Sequence, residues 1–128
     1  MRALLDTHVF LWWITDDARL SHTARALIEE GSNTLFLSTG SVWEVSIKSQ
    51  LGRLDLPPNP DVFLREQLAH NKIEILAIEL SHALGVCHLP LLHRDPFDRL
   101  LVAQAQVEGL PIVTADSAFS EYSVTLIW

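Results

Sequence analysis

Short apolar runs alternate with helical stretches along this chain, and that alternation limits the possible folds more than any other feature. Residues 2–5, 34–37, 110–113 and 124–128 are rich in Leu, Ile and Val and too short for helices, so they read as strands. The run 73–78 adds a fifth candidate whose register the pattern leaves open. Between them, helices are expected over 9–14, 23–30, 61–70, 81–87 and 95–109, plus one opened by Ser41 and closed by Gly52. Strands separated by helices must be parallel, because the crossover returns each strand in the same direction and covers both faces. The expected fold is a three-layer α/β domain with a sheet of four or five mostly parallel strands, a single domain over residues 1–128.

Local punctuation refines the plan. Ser21 is a candidate N-cap and Gly31 a candidate stop for the second helix. Ser41 followed by Glu44 has the spacing of a capping box, and Pro57, Pro58 and Pro60 form a stiff connector. Asp95-Pro96 is an N-terminal signature, and Gly109 ends the helix it opens. The 95–109 helix is apolar nearly all round and should be buried.

A formal charge of −7 argues against a generic nucleic-acid coat, which would present a basic surface. It leaves open an enzyme that acts on nucleic acid, since bound cations reverse the field of an acidic site. The apolar run 9–14 is far short of the ~20 residues that span a bilayer, and no basic segment precedes it, so no signal peptide or membrane span is expected. The lone cysteine, Cys87, excludes an internal disulfide and fits a reducing cytoplasm.

Acidic residues recur at one kind of topological position. Asp6 and Asp116 each follow an expected strand, and Glu44 and Asp98 each fall in the first turn of an expected helix. In parallel sheets that is the carboxyl edge, where ligands bind. Each residue also has an ordinary explanation. Asp6 and Asp116 could cap turns, Glu44 could complete the capping box or pair with Lys48, and Asp98 could favour a helix dipole. Grouped together at the mouth of a buried helix, however, the carboxylates would repel one another unless a cation neutralised them. Mg²⁺ or Mn²⁺ suits oxygen ligands and brings waters.

Taken in order over the whole chain, Leu-Leu-Asp-Thr-His, Ser-Val-Trp-Glu-Val, Asp-Pro-Phe-Asp-Arg-Leu-Leu-Val-Ala-Gln-Ala and Ile-Val-Thr-Ala-Asp resemble the PIN-domain ribonucleases. More narrowly, the set is similar to the VapC toxins of bacterial toxin–antitoxin pairs. The resemblance implies that Asp6, Glu44, Asp98 and Asp116 occupy the family's four acidic positions, as metal ligands and catalytic groups, with Thr114 as a hydroxyl neighbour. It further implies a Mg²⁺- or Mn²⁺-dependent endoribonuclease cutting RNA by metal-activated water, a cognate antitoxin that occludes the site, and a homodimer.

Supporting roles are less constrained. Asp95 reads as a cap or a ligand, and Thr7 and Thr114 as turn residues or as groups orienting a carboxylate. Arg94, Arg99 and Lys48 could hold RNA phosphates or serve as solvated or carboxylate-paired cations. Cys87, His88 and His93 lack the paired spacings of structural zinc. Most of Trp12, Trp13, Trp43 and Trp128 are expected in the core, with Trp12 or Trp13 available to an interface. Three rival readings remain. One is a phosphatase or phosphotransferase with Asp6 as nucleophile, weakened because His8 stands where such enzymes place a second acid. Another is a non-catalytic binding module on the same fold, and the third is cleavage of DNA.

Overall fold

The computed structural model describes residues 1–92 and 95–128, so the readings that involve His93 and Arg94 lie outside the described residues. Five strands are present: β1 (Arg2–Leu5), β2 (Thr34–Ser38), β3 (Glu74–Leu76), β4 (Ile112–Val113) and β5 (Leu126–Ile127). They form one sheet in the order β3-β2-β1-β4-β5, with every neighbouring pair parallel. The helices are α1 (Thr7–Ile14), α2 (His22–Glu29), α3 (Thr39–Gln50), α4 (Pro60–His70), α5 (Leu80–Gly85) and α6 (Pro96–Glu108). The expected α/β architecture is therefore the observed one.

The strand period of two builds the three layers. Along central β1, Ala3 and Leu5 enter one apolar cluster and Leu4 enters the other. The first cluster takes Val9 and Phe10 from α1, Ala24 and Ile28 from α2, Val45 from α3 and Leu64 from α4. The second takes Leu101, Val102 and Ala105 from α6, with Phe119 from the 3₁₀ turn Ser117–Glu121. Leu4 and Leu5 have no exposed surface, and burying each contributes about 1.5–3 kcal/mol. Because both clusters meet on β1, the residue that follows this strand emerges at the middle of the sheet edge.

Several local expectations are corrected. Helix α3 begins at Thr39, not after Ser41, because Ser38 is its N-cap and its Oγ accepts the Gly40 amide at 3.0 Å. Ser41 is thus inside the helix, and no capping box with Glu44 forms. Strand β3 stops at Leu76, where its partner β2 ends at Ser38 and turns into α3. Ile78 is consequently left outside the sheet and 39% exposed. The α5 segment tightens into a 3₁₀ turn over Val86–His88. In α6, burial is continuous from Leu101 to Ala105, but Val107 in the last turn is 47% exposed. Nor are the tryptophans mostly core: Trp43 and Trp128 are exposed, and Trp12 and Trp13 are half-buried against the first cluster. The Trp13 indole donates to Asn71 Oδ1 at 2.9 Å, satisfying its polar edge. Among the described residues no helix is long and apolar enough to cross a membrane.

Gly109 ends α6 with φ of 64°, in the left-handed region, with open space where a Cβ would stand. Gly109→Ala should therefore cost about 1 kcal/mol through backbone strain alone. Gly31 also faces open space but lies outside that region, so Gly31→Ala should leave stability unchanged or raise it by up to about 1 kcal/mol. Urea midpoints for the two variants check the contrast, and equal losses would contradict it.

Candidate carboxylate site

Asp6 leaves the carboxyl end of β1 at the N-cap position of α1, with extended backbone, yet its side chain does not cap that helix. Instead Asp6 Oδ2 accepts the Thr114 hydroxyl at 2.8 Å from the end of neighbouring β4. Thr114 Oγ1 in turn accepts the Asp116 backbone N–H at 3.0 Å. The amide occupies a lone pair of the hydroxyl and the hydroxyl proton goes to Asp6, so this short chain fixes both the carboxylate and the turn after β4. Asp6 is only 4% exposed. Burial raises its carboxyl above the ordinary value, partly offset by the Thr114 hydroxyl and the nearby His8, while Asp116 pushes it further up.

Glu44, on the second turn of α3, is also buried, and its Oε2 pairs with Lys48 Nζ at 2.9 Å. The i,i+4 alternative anticipated for Glu44 is therefore realised and the capping alternative is not. One turn earlier, Ser41 Oγ accepts the buried Thr7 hydroxyl at 2.8 Å. That bond joins the residue after Asp6 to the turn before Glu44, and it ties α1 to α3. The pattern around Ser41 did not reveal this role, because Ser38 and Ser41 are both plausible caps and only the true helix start decides which hydroxyl is left for tertiary contact.

Asp98 lies in the first turn of α6. Asp95 is the N-cap, and its Oδ1 accepts the amides of Phe97 at 2.8 Å and Asp98 at 3.3 Å. Asp116 is exposed and caps the following 3₁₀ turn through Ala118 N–H at 2.9 Å. The capping alternatives for Asp95 and Asp116 are thus both met, without removing either from the group. The Arg99 guanidinium donates to the carbonyls of Pro90 and Val86 and to the Tyr122 hydroxyl, tying α6 to the loop before it, and among the described residues it is in no ion pair.

The electrostatics gather the acidic residues into one neighbourhood. Burial raises the Asp98 carboxyl most, followed by the charges of Asp95, Asp6, Glu44 and Asp116, and together they push it up to about 7. Five carboxylates from four separated stretches of chain therefore share one field. They do not form a closed cage: among the described residues no three His, Cys, Asp or Glu side chains are grouped closely enough to hold an ion among themselves. An all-oxygen donor set with one or two direct ligands still matches Mg²⁺, which keeps several of its waters and resists full dehydration.

The sequence matches the PIN domain family over residues 3–124. The chain belongs to that family. A curated relative, Ribonuclease VapC22 of Mycobacterium tuberculosis (strain ATCC 25618 / H37Rv), is 33% identical over 114 residues, spanning 88% of this chain and 85% of that protein. Among solved structures, VapBC2 from Rickettsia felis bound to a DNA fragment from their promoter superposes with a TM-score of 0.76 at 17% identity, covering 99% of this chain and 98% of that one. FitAcB from Neisseria gonorrhoeae gives a TM-score of 0.69 at 19% identity, with 100% and 97% coverage. The two superpositions show that this PIN-family chain shares its fold with those structures.

Asp98 releases its proton near pH 7 when folded but near the ordinary value of 3.8 when unfolded. Between those values the folded state holds more protons, so stability falls as pH rises and levels off above the folded value. In EDTA, Asp98→Asn should melt above the parent by a smaller margin at pH 5 and by the full margin at pH 8. A variant that melts lower at pH 8, or with the parent's pH slope, would remove the carboxylate repulsion inferred here.

Proposed function

We propose that this PIN-family protein is a Mg²⁺- or Mn²⁺-dependent endoribonuclease that acts in the cytoplasm as the toxin of a toxin–antitoxin pair. The observation that carries the reading is the crowding of Asp6, Glu44, Asp95 and Asp116 around Asp98, which costs stability unless a cation or substrate charge compensates it. The 33% identity to Ribonuclease VapC22 supports RNA as substrate. The superposition on VapBC2 supports an antitoxin partner, and the motif resemblance to the VapC toxins implies a homodimer.

In this reading Asp6, Glu44, Asp98 and Asp116 hold the cation, some directly and some through water, and Asp95 organises the first turn of α6. A bound divalent cation supplies a more acidic water and a Lewis acid for the phosphodiester. The chain's own contribution is positioning. Thr114 holds Asp6 by Oδ2 and so fixes the orientation of the other carboxylate oxygen. Lys48 limits the swing of Glu44, and the Thr7–Ser41 bond sets the spacing between their two helices. Asp98, with its carboxyl near 7, can take up a proton at neutral pH when no cation is present and yield that position when one binds.

Asp6→Asn and Asp98→Asn should each lower the rate of RNA cleavage by roughly a hundredfold or more, the scale of losing several kcal/mol of charge stabilisation, while the variants remain folded by circular dichroism. EDTA should abolish cleavage by the parent, and Mg²⁺ or Mn²⁺ should restore it. Undiminished cleavage by Asp98→Asn with Mg²⁺ present would overturn the assignment.

A further inference from the structure

A cleft of about 450 Å³ opens directly beside the carboxylates and shares Glu44 and Asp95 with them. One wall is α3, where Glu44, Ile47, Lys48 and Leu51 fall at i, i+3, i+4 and i+7 and therefore on one face. The other wall is the start of α6, Pro96 and Phe97. The Phe97 ring is held edge-on by Trp43, with centroids 5.3 Å apart at 74°. Leu51 is 60% exposed at the rim. Its volume is within the range of small-ligand sites, roughly 300–1,000 Å³.

Cations line the cleft as well. Lys48 and Arg53 border it, and the same two residues border a second cleft of about 270 Å³ that contains His8, Trp12 and Arg19. In that second cleft the Arg19 guanidinium stacks over the Trp12 ring at 5.0 Å from its centroid. Arg53 is exposed and makes no ion pair among the described residues. Lys48 is paired with Glu44, and Arg19 with Asp17, which lines the second cleft. In a chain of net charge −7, Arg53 is thus the cation that these two clefts leave without an ion pair among the described residues.

We infer that the Ile47–Leu51–Phe97 cleft is a nucleobase subsite for single-stranded RNA, with Arg53 on the adjoining phosphate. This rests on the nuclease reading of the neighbouring carboxylates. Apolar and aromatic walls accept the face of an unpaired base, and an exposed arginine supplies the counter-charge that the acidic site cannot. A duplex does not fit the description, because its bases are stacked and their faces covered. An exposed arginine next to an aromatic and apolar wall matches a phosphate beside an unpaired base, so the observations favour RNA, and occupancy by a peptide is an outcome of the test.

The test uses full-length protein carrying Asp98→Asn, so that bound RNA is not cut, with a fluorescein-labelled oligoadenylate and an abasic ribose-phosphate oligomer of equal length. The parent should bind the oligoadenylate about 5- to 100-fold more tightly than the abasic strand, the range expected for one stacked base. Leu51→Ala and Phe97→Ala should shrink that ratio towards one. Leu51 is exposed, so its variant tests the subsite without threatening the fold. Arg53→Gln should weaken both oligomers alike and lower the salt-dependence slope by about one. Equal binding of the two oligomers by the parent, or an unchanged ratio in Leu51→Ala, overturns the subsite, as does exclusive occupancy of the cleft by a peptide. Base-dependent binding by a wild-type protein that cuts no RNA with Mg²⁺ would keep the subsite and remove the nuclease reading.

Discussion

Mutual repulsion among carboxylates at the carboxyl edge of the sheet is the constraint that the rest of this structure accommodates. Asp6 is placed there by β1, the central strand, whose side chains are committed to two apolar clusters and cannot shift register without exposing them. Its burial is therefore a consequence of the fold, and the fold must tolerate the charge. Part of the tolerance comes from Thr114, since a hydrogen bond to an ionised group contributes more than one between neutral partners. Another part comes from Lys48 beside Glu44. Asp98 carries both costs: burial raises its proton affinity most, and the charges of Asp95, Asp6, Glu44 and Asp116 raise it further.

Two of the five acidic residues serve the backbone and the site together. Asp95 caps α6 and Asp116 caps the turn after β4, each accepting amide hydrogens that would otherwise lack partners. Those contacts hold the carboxylates at fixed points along the sheet edge without removing their charge. Structural and electrostatic roles are thus compatible here.

The sheet was legible because strand burial depends on composition and period, which are local properties. Ala3, Leu4 and Leu5 read as a buried strand and are one. Helix starts were less legible where two hydroxyl residues competed. Ser38 and Ser41 have similar intrinsic capping preference, and the decision was made by a tertiary contact, the Thr7 hydroxyl 34 residues away in sequence. The tryptophans failed for a related reason. Trp43 is large and apolar, but α3 spends its buried face on Val45 and Glu44, which turns Trp43 outward. Arg99 sits beside Asp98 in sequence, yet consecutive helical positions point about 100° apart, and its guanidinium finds the Pro90 carbonyl instead.

The distance between α3 and α6 sets how closely Glu44 and Asp98 can share a charge, and one glycine governs it. A Cβ at Gly40 would stand 3.0 Å from Leu100 Cδ2 and 3.2 Å from Ser38 Oγ. The first contact is with the far end of a flexible side chain, but the second is with the hydroxyl that caps α3. A Cβ there would need the Leu100 methyl and the Ser38 hydroxyl each to give by a few tenths of an ångström. Loss of the cap would loosen the first turn of α3, where Ser41 anchors to Thr7. Displacement of α6 would carry Asp95 and Asp98 away from Asp6. Gly40 thus lets the first turn of α3 pack closely against Leu100 of α6, while the strand order brings the carboxylates to one sheet edge.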